Sequence, residues 1–129
     1  MNTKSAAILI GIIFLAVGIL GYFPNPVIGE SEDAIFHADS THNMVHIISG
    51  VLFLLIALAA PARAGLFLKI FGIVYLVLGI LGMTSIGDSG MTELLGFLHV
   101  NGADNYLHIA LGLVIFLAGL LPGSRTYNR

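Results

Sequence analysis

None of the 129 residues is cysteine. That excludes disulfides, cysteine-ligated zinc, iron–sulfur clusters and thiolate-bound haem. A metal, if bound, must be held by His, Asp, Glu, Asn or Tyr. Charge is scarce too: Asp, Glu, Lys and Arg make up 9% of the chain, where soluble proteins carry about a quarter. The small net charge of −2 offers no basic surface, so no nucleic-acid partner is expected. There is no phosphate loop, dinucleotide fingerprint or nucleophile motif, so the sequence assigns no enzymatic reaction.

What fills the chain is apolar: 57% hydrophobic residues and a mean hydropathy of +1.00. Ala6–Phe23 holds eighteen residues without a charge, long enough to cross a bilayer. A signal peptide has a similar start, but no small-x-small cleavage site follows. Pro24 and Pro26 are expected to stop this helix, since proline lacks the amide donor and clashes with the preceding turn. A polar loop then leads to a second helix, with Ser40 or Thr41 as its cap, running to about Ala60 before Pro61. The short Pro-Ala-Arg-Ala-Gly link makes helices two and three antiparallel neighbours. The third helix is expected over about Gly65–Ser85, a short interfacial helix within Met91–Val100, and a fourth helix, capped by Asp104, ending at Leu121.

The chain repeats itself. Ile10–Gly21 and Phe71–Gly82 share seven identities in twelve columns at an offset of 61. At an offset of 62, His37/His99, Asn43/Asn105, His46/His108, Ile47/Ile109, Gly50/Gly112, Leu55/Leu117 and Leu58/Leu120 coincide. Residues 1–129 therefore read as one all-α, four-transmembrane-helix bundle. It is built of two tandem hairpins, about 5–60 and 65–121, related by a pseudo-twofold along the membrane normal. A copy of the first helix in mid-chain also argues that the first is permanent.

The charges sort by loop. Lys4, Arg63, Lys69, Arg125 and Arg129 lie near the termini and the 2–3 connection, and all seven acids lie on the 1–2 and 3–4 side. The positive-inside rule then places both termini in the cytoplasm and every histidine on the outer side.

The histidine-bearing segments carry the only chemistry in view. Asn43, His46, Gly50 and Ala57 form one stripe of helix two, and Asn105, His108, Gly112 and Gly119 repeat it in helix four. Small residues on such a stripe let helices approach in lipid, which turns the histidines inward. One turn earlier stand His42 and Asp104, making i, i+4 pairs that can share an ion. His42, His46, Asp104 and His108 are thus candidate ligands for a divalent transition metal. His46 and His108 are also candidate axial ligands for haem. Asn43 and Asn105 would hydrogen-bond these ligands or hold helices together. His37 and His99 are expected to be solvated. The alternative is purely architectural: the same Asn and His side chains hydrogen-bond across the bundle, each worth about 0.6–2 kcal/mol. Transport is disfavoured, because the helix interiors hold Ser49, Tyr75 and glycines but no charge.

The patterns His42-Asn43-x-x-His46 with Gly50, and Asn101-x-x-Asp104-Asn105-x-x-His108, resemble those of a family of small bacterial four-helix membrane proteins catalogued as a domain of unknown function. The likeness covers nearly the whole chain, including the glycine-rich first and third helices. It implies a multi-pass protein of the bacterial inner membrane and highlights Asn43, His46, Asp104, Asn105 and His108 without giving them roles. The expectation is therefore an integral membrane protein with an outer Asn/His/Asp cluster, structural or an accessory part of a membrane assembly or homo-oligomer. The alternative is a protein that binds a metal or haem at that cluster.

Overall fold

The computed structural model describes residues 1–86 and 90–124. Four helices carry the fold: α1 (Thr3–Leu20), α2 (Ser40–Ala59), α3 (Ala64–Ile86) and α4 (Gly102–Ala118). A 3-10 turn, Pro61–Arg63, leads into α3. The first three are long and apolar enough to cross a membrane, and α4 is a shorter apolar helix of 17 residues. Their outward faces are apolar, with Ile12, Ile73, Leu55 and Val114 among the exposed side chains. Such a surface fits a lipid bilayer, not water.

α1 lies along α2 and α3 along α4, and glycine sets the closeness of both pairs. A methyl placed on Gly11 would meet the Gly50 carbonyl at 3.0 Å, and one on Gly50 the Gly11 carbonyl at 2.8 Å. Gly72 and Gly112 face each other in the same way, at 2.7 and 2.8 Å. Without side chains at these points the backbones touch, and dispersion between them replaces the hydrophobic drive that lipid cannot supply. Around them, Ala6, Ala7, Phe14, Phe53, Ala57, Ala64, Leu68, Tyr75 and Ile115 form the core.

Several expected boundaries shift for local reasons. α1 ends at Leu20, ahead of the prolines, because Asn25 folds the chain back. Its amide nitrogen reaches the carbonyls of Leu20, Phe23 and Ile28 at 2.8–3.0 Å, and its oxygen accepts from the amides of Val27 and Ile28. The cap of α2 is Asp39, not Ser40 or Thr41: its carboxylate accepts the His42 amide at 2.9 Å, a stronger charge-assisted bond than a hydroxyl gives. The cap of α4 is Asn101, not Asp104, which lies at the third helical position and closes a capping box. α4 gives way at Gly119, before Leu121.

The largest correction concerns Met91–Val100. It is a β-hairpin, β3 (Met91–Leu94) and β4 (Leu98–Asn101), paired antiparallel. Leu95 and Gly96 turn it with φ of 56° and 80°, values that break a helix and that glycine tolerates. Leu94, Leu98 and Val100 bury one face against Val45 and Leu78. In the 1–2 loop, β1 (Ile28–Gly29) pairs in parallel with β2 (Phe36–His37). The all-α expectation thus gains two small two-stranded sheets, both at the end of the molecule where α2 and α4 begin. Asp88, one of the seven acids on the 1–2 and 3–4 side, and the cations Arg125 and Arg129 lie outside the described residues.

Candidate metal centre

The two strand pairs roof the starts of α2 and α4, and the histidines meet beneath them. Asp39 fixes where α2 begins, so His42 falls in its first turn and His46 one turn deeper on the same side. The Asn101–Asp104 box does the same for α4, and His108 arrives opposite. His42, His46 and His108 are 2–5% exposed, and one ring nitrogen from each lies within 4.8 Å of the other two. Among the described residues this is the group of side chains arranged to share an ion.

The proton on one ring is set by the backbone. His42 Nδ1 lies 2.7 Å from the carbonyl oxygen of His99. A carbonyl only accepts, so Nδ1 carries the hydrogen and donates it, which leaves Nε2 with a free lone pair. Nδ1 of His46 and Nδ1 of His108 are buried and have no hydrogen-bond partner.

Aromatic rings close the cluster from below. His42 and His46 lie 4.7 Å apart between centroids, and His42 and His108 5.6 Å. His46 meets Phe14 edge-on at 5.7 Å, Phe14 meets Tyr75 at 5.2 Å, and Tyr75 meets His108 edge-on at 5.5 Å. The result is a closed circuit of five rings. Ser49 hydrogen-bonds the Tyr75 hydroxyl, so the deepest polar group in the circuit has its partner within the protein.

Asp104, expected beside the histidines, has its carboxylate engaged elsewhere. Its Oδ2 accepts the Asn101 amide at 2.8 Å and the His37 amide at 3.2 Å, fastening the 1–2 loop to the head of α4. Asn43 and Asn105 cover Gly21 and Gly82: a methyl on either glycine would collide with the facing amide. His37 is buried, contrary to the expectation of a solvated ring, and its Nδ1 is without a partner. His99 is half-buried, with its Nε2 2.7 Å from Glu93 Oε1.

Four contributors escaped sequence reasoning. The His99 carbonyl could not be foreseen, since a hairpin brings it there. Asp39 was visible as the strongest cap type three residues before His42. Phe14 and Tyr75 were visible as aligned aromatics at an offset of 61 within the repeated segment.

Three imidazoles from two helices are a ligand set for zinc, copper, iron or nickel. Metal–nitrogen bonds of 2.0–2.1 Å put tetrahedral ligand atoms about 3.3 Å apart, so the present spacing closes by at most about 1.5 Å, a rotamer-scale adjustment. A macrocycle fits less well. The apolar cavity beside His46, lined by Ile13, Phe14, Val17, Leu107 and Leu111, measures ≈ 120 Å³, against roughly 300 Å³ for the smallest ordinary cofactor pockets.

The family model described as Domain of unknown function (DUF4383) matches residues 4–121, so the chain belongs to that family. No curated protein and no solved structure matches the chain.

Proposed function

We propose that this member of the family is a four-span membrane protein that binds one divalent transition ion, of the zinc or copper class, through His42, His46 and His108. The observation that carries the reading is the convergence of three buried imidazole nitrogens within 4.8 Å. Three protein ligands leave the fourth position of a tetrahedral ion open to water or to a small ligand, the arrangement of catalytic and exchange sites, not of closed structural ones. Asp104 serves beside the site: it holds the loop that roofs it. Asn43 and Asn105 act as packing elements against Gly21 and Gly82.

The architectural alternative has less support at His46 and His108. Helix-bridging hydrogen bonds would engage the ring nitrogens, and Nδ1 of both His46 and His108 is buried without a partner. A haem bridging His46 and His108 is disfavoured by the ≈ 120 Å³ cavity.

The duplicated hairpin supplies the frame of this proposal. Gly11–Gly50 and Gly72–Gly112, Gly21–Asn43 and Gly82–Asn105, and Phe14–His46 and Tyr75–His108 are equivalent contacts at offsets of 61 and 62. They support two hairpins in residues 5–60 and 65–121 about a pseudo-twofold. At about 1.5 Å per residue, α4 is about 26 Å long, enough for a thin bilayer. The cation distribution supports cytoplasmic termini in a bacterial inner membrane, with the metal site on the outer side. Exposed apolar flanks leave room for a second copy or a larger membrane assembly.

The test is metal content. Protein purified in detergent, loaded with zinc and dialysed, is expected to lose one ion per chain on His46→Ala or His108→Ala and to show no Soret band. Unchanged metal content in both variants refutes the proposal.

A further inference from the structure

We infer that the cavity between α1 and α4 binds a small apolar gas of the dioxygen class, drawn from the bilayer and delivered beside His46. What the gas meets there rests on the three-histidine reading above; that it binds does not.

Six residues line the cavity: Ile13, Phe14 and Val17 from α1, Leu107 and Leu111 from α4, and His46 from α2. Five are apolar, so the lining offers one polar side chain. A buried water needs two to four polar partners, and an apolar cavity that cannot supply them stays dry. The volume of ≈ 120 Å³ is close to that of an engineered Leu/Ile/Phe cavity, roughly 150 Å³, which takes up benzene or xenon. The occupant of such a space is compact, uncharged and without hydrogen-bonding groups. A diatomic gas meets all three conditions, and it is driven from water into hydrocarbon as any apolar solute is.

The position of the cavity selects the side of entry. Ile13 is 46% exposed, and Val17, Leu107 and Leu111 are half-buried, so the lining reaches the outward apolar face. Seven residues separate Ile13 from Leu20, where α1 ends. At 1.5 Å per residue this puts Ile13 about 10 Å down the helix, a depth occupied by hydrocarbon when α1 spans the bilayer. From the aqueous side the centre is shut off, because the strand pairs roof it and His46 is 5% exposed.

The corresponding seam between α3 and α2 is filled differently. At offsets of 61 and 62, Val17, Leu107 and Leu111 correspond to Leu78, Val45 and Ser49. Leu78 and Val45 pack against Leu94, Leu98 and Val100 of the β3–β4 hairpin, and Ser49 hydrogen-bonds Tyr75. One seam thus carries a hairpin and an internal hydrogen bond, while the other keeps an apolar cavity that ends on His46. A route from lipid to His46 accounts for the difference. The route also has a destination. Three protein ligands leave a fourth position on a tetrahedral ion, and a diatomic ligand is small enough to take it.

The test has a metal-free arm and a metal-loaded arm, both on the full chain in detergent micelles. In the first, xenon pressure is raised over metal-free protein with labelled Ile, Leu and Val methyls, followed by NMR. Methyls of Val17, Leu107 and Leu111 are expected to shift and saturate, whereas those of Leu55 and Val114, exposed on the outward face, drift linearly. Leu111→Phe, or Val17→Phe from the facing helix, fills the cavity and should abolish the saturable shift. In the second arm the chain is loaded with Cu(I) and exposed to carbon monoxide as the diatomic probe. A carbonyl infrared band is expected in wild type, with slower binding in Leu111→Phe. The inference is overturned if the wild-type cavity methyls respond no differently from the outward ones, as when side chains or an acyl tail fill the space. With copper bound, a missing carbonyl band, or equal on-rates in wild type and Leu111→Phe, overturns the delivery route. Saturable xenon binding with unchanged metal content in His46→Ala and His108→Ala leaves the gas site standing and sinks the triad. Metal loss in both variants without xenon binding does the reverse.

Discussion

Gly72→Ala tests how the helices set the site. A methyl at Gly72 would lie 2.5 Å from the Phe116 amide nitrogen, 2.7 Å from the Gly112 carbonyl and 2.8 Å from the Phe116 Cα. All three are backbone atoms of α4, so no rotamer change relieves the clash. Ordinary contact begins near 3.4 Å, so α3 and α4 must part by about 0.9 Å. Overpacking of this kind costs about 1–3 kcal/mol. Alanine returns up to about 1 kcal/mol through its higher helix propensity. The clash prevails, and net destabilisation of about 1–2 kcal/mol is expected. Two further glycines calibrate it. At Gly65 the nearest atoms are at 3.2 Å and one is a Thr3 methyl, so alanine there is expected to be near neutral. At Gly123 nothing lies within 4 Å, and alanine should change nothing. The assay is unfolding by SDS in mixed micelles, followed by circular dichroism. Because His108 sits one turn from Gly112 on α4, zinc affinity should fall in Gly72→Ala and hold in the other two. Equal stability of all three variants, or greater damage at Gly65 than at Gly72, refutes this account of the packing.

Asp39→Ala removes the α2 cap and is expected to cost about 1 kcal/mol by the same assay, while Asp39→Asn, which keeps the accepting oxygen, should cost a few tenths. A cysteine at Glu32 in the otherwise cysteine-free chain should react with a membrane-impermeant maleimide in intact cells, and one at Arg63 should react only after lysis; the reverse pattern refutes the orientation. Acidification should release zinc, since protons compete for imidazole nitrogens, and a metal content that does not fall with pH would argue against histidine ligands.

The helices were legible in the sequence because their signals are local and long: charge-free runs, proline after α2, and glycines recurring at one offset. Helical spacing put His42 and His46 on one face, and the sequence offset paired His46 with His108, so these three positions could be singled out from the sequence together with Asp104. The remainder depended on contacts that no spacing encodes. Met91–Val100 has apolar residues at intervals that satisfy a helix or a strand equally, and the choice falls to burial of Leu94, Leu98 and Val100 against Val45 and Leu78. Asp104 has the right spacing to His108 for a shared ion, but a backbone amide 67 residues away, on His37, also engages its carboxylate. His37 looked solvated because loops usually are; here the loop is strapped down by Asp104 and by the Asn101 side chain, which donates to the Ile35 carbonyl at 3.1 Å.

The circuit of five rings gives the protein a built-in optical reporter. The chain has no tryptophan, so its near-ultraviolet signal comes from tyrosine and phenylalanine. Among the described tyrosines, Tyr106 is exposed, Tyr22 is exposed with its hydroxyl donating to the Ser40 carbonyl, and Tyr75 is buried against His108. A solvated phenol in free rotation contributes little dichroism, and a phenol fixed in an asymmetric packed setting contributes much. An ion bound at the three histidines would therefore bear on Tyr75, the buried phenol among the described residues, and the unlabelled wild-type chain could be titrated by light alone.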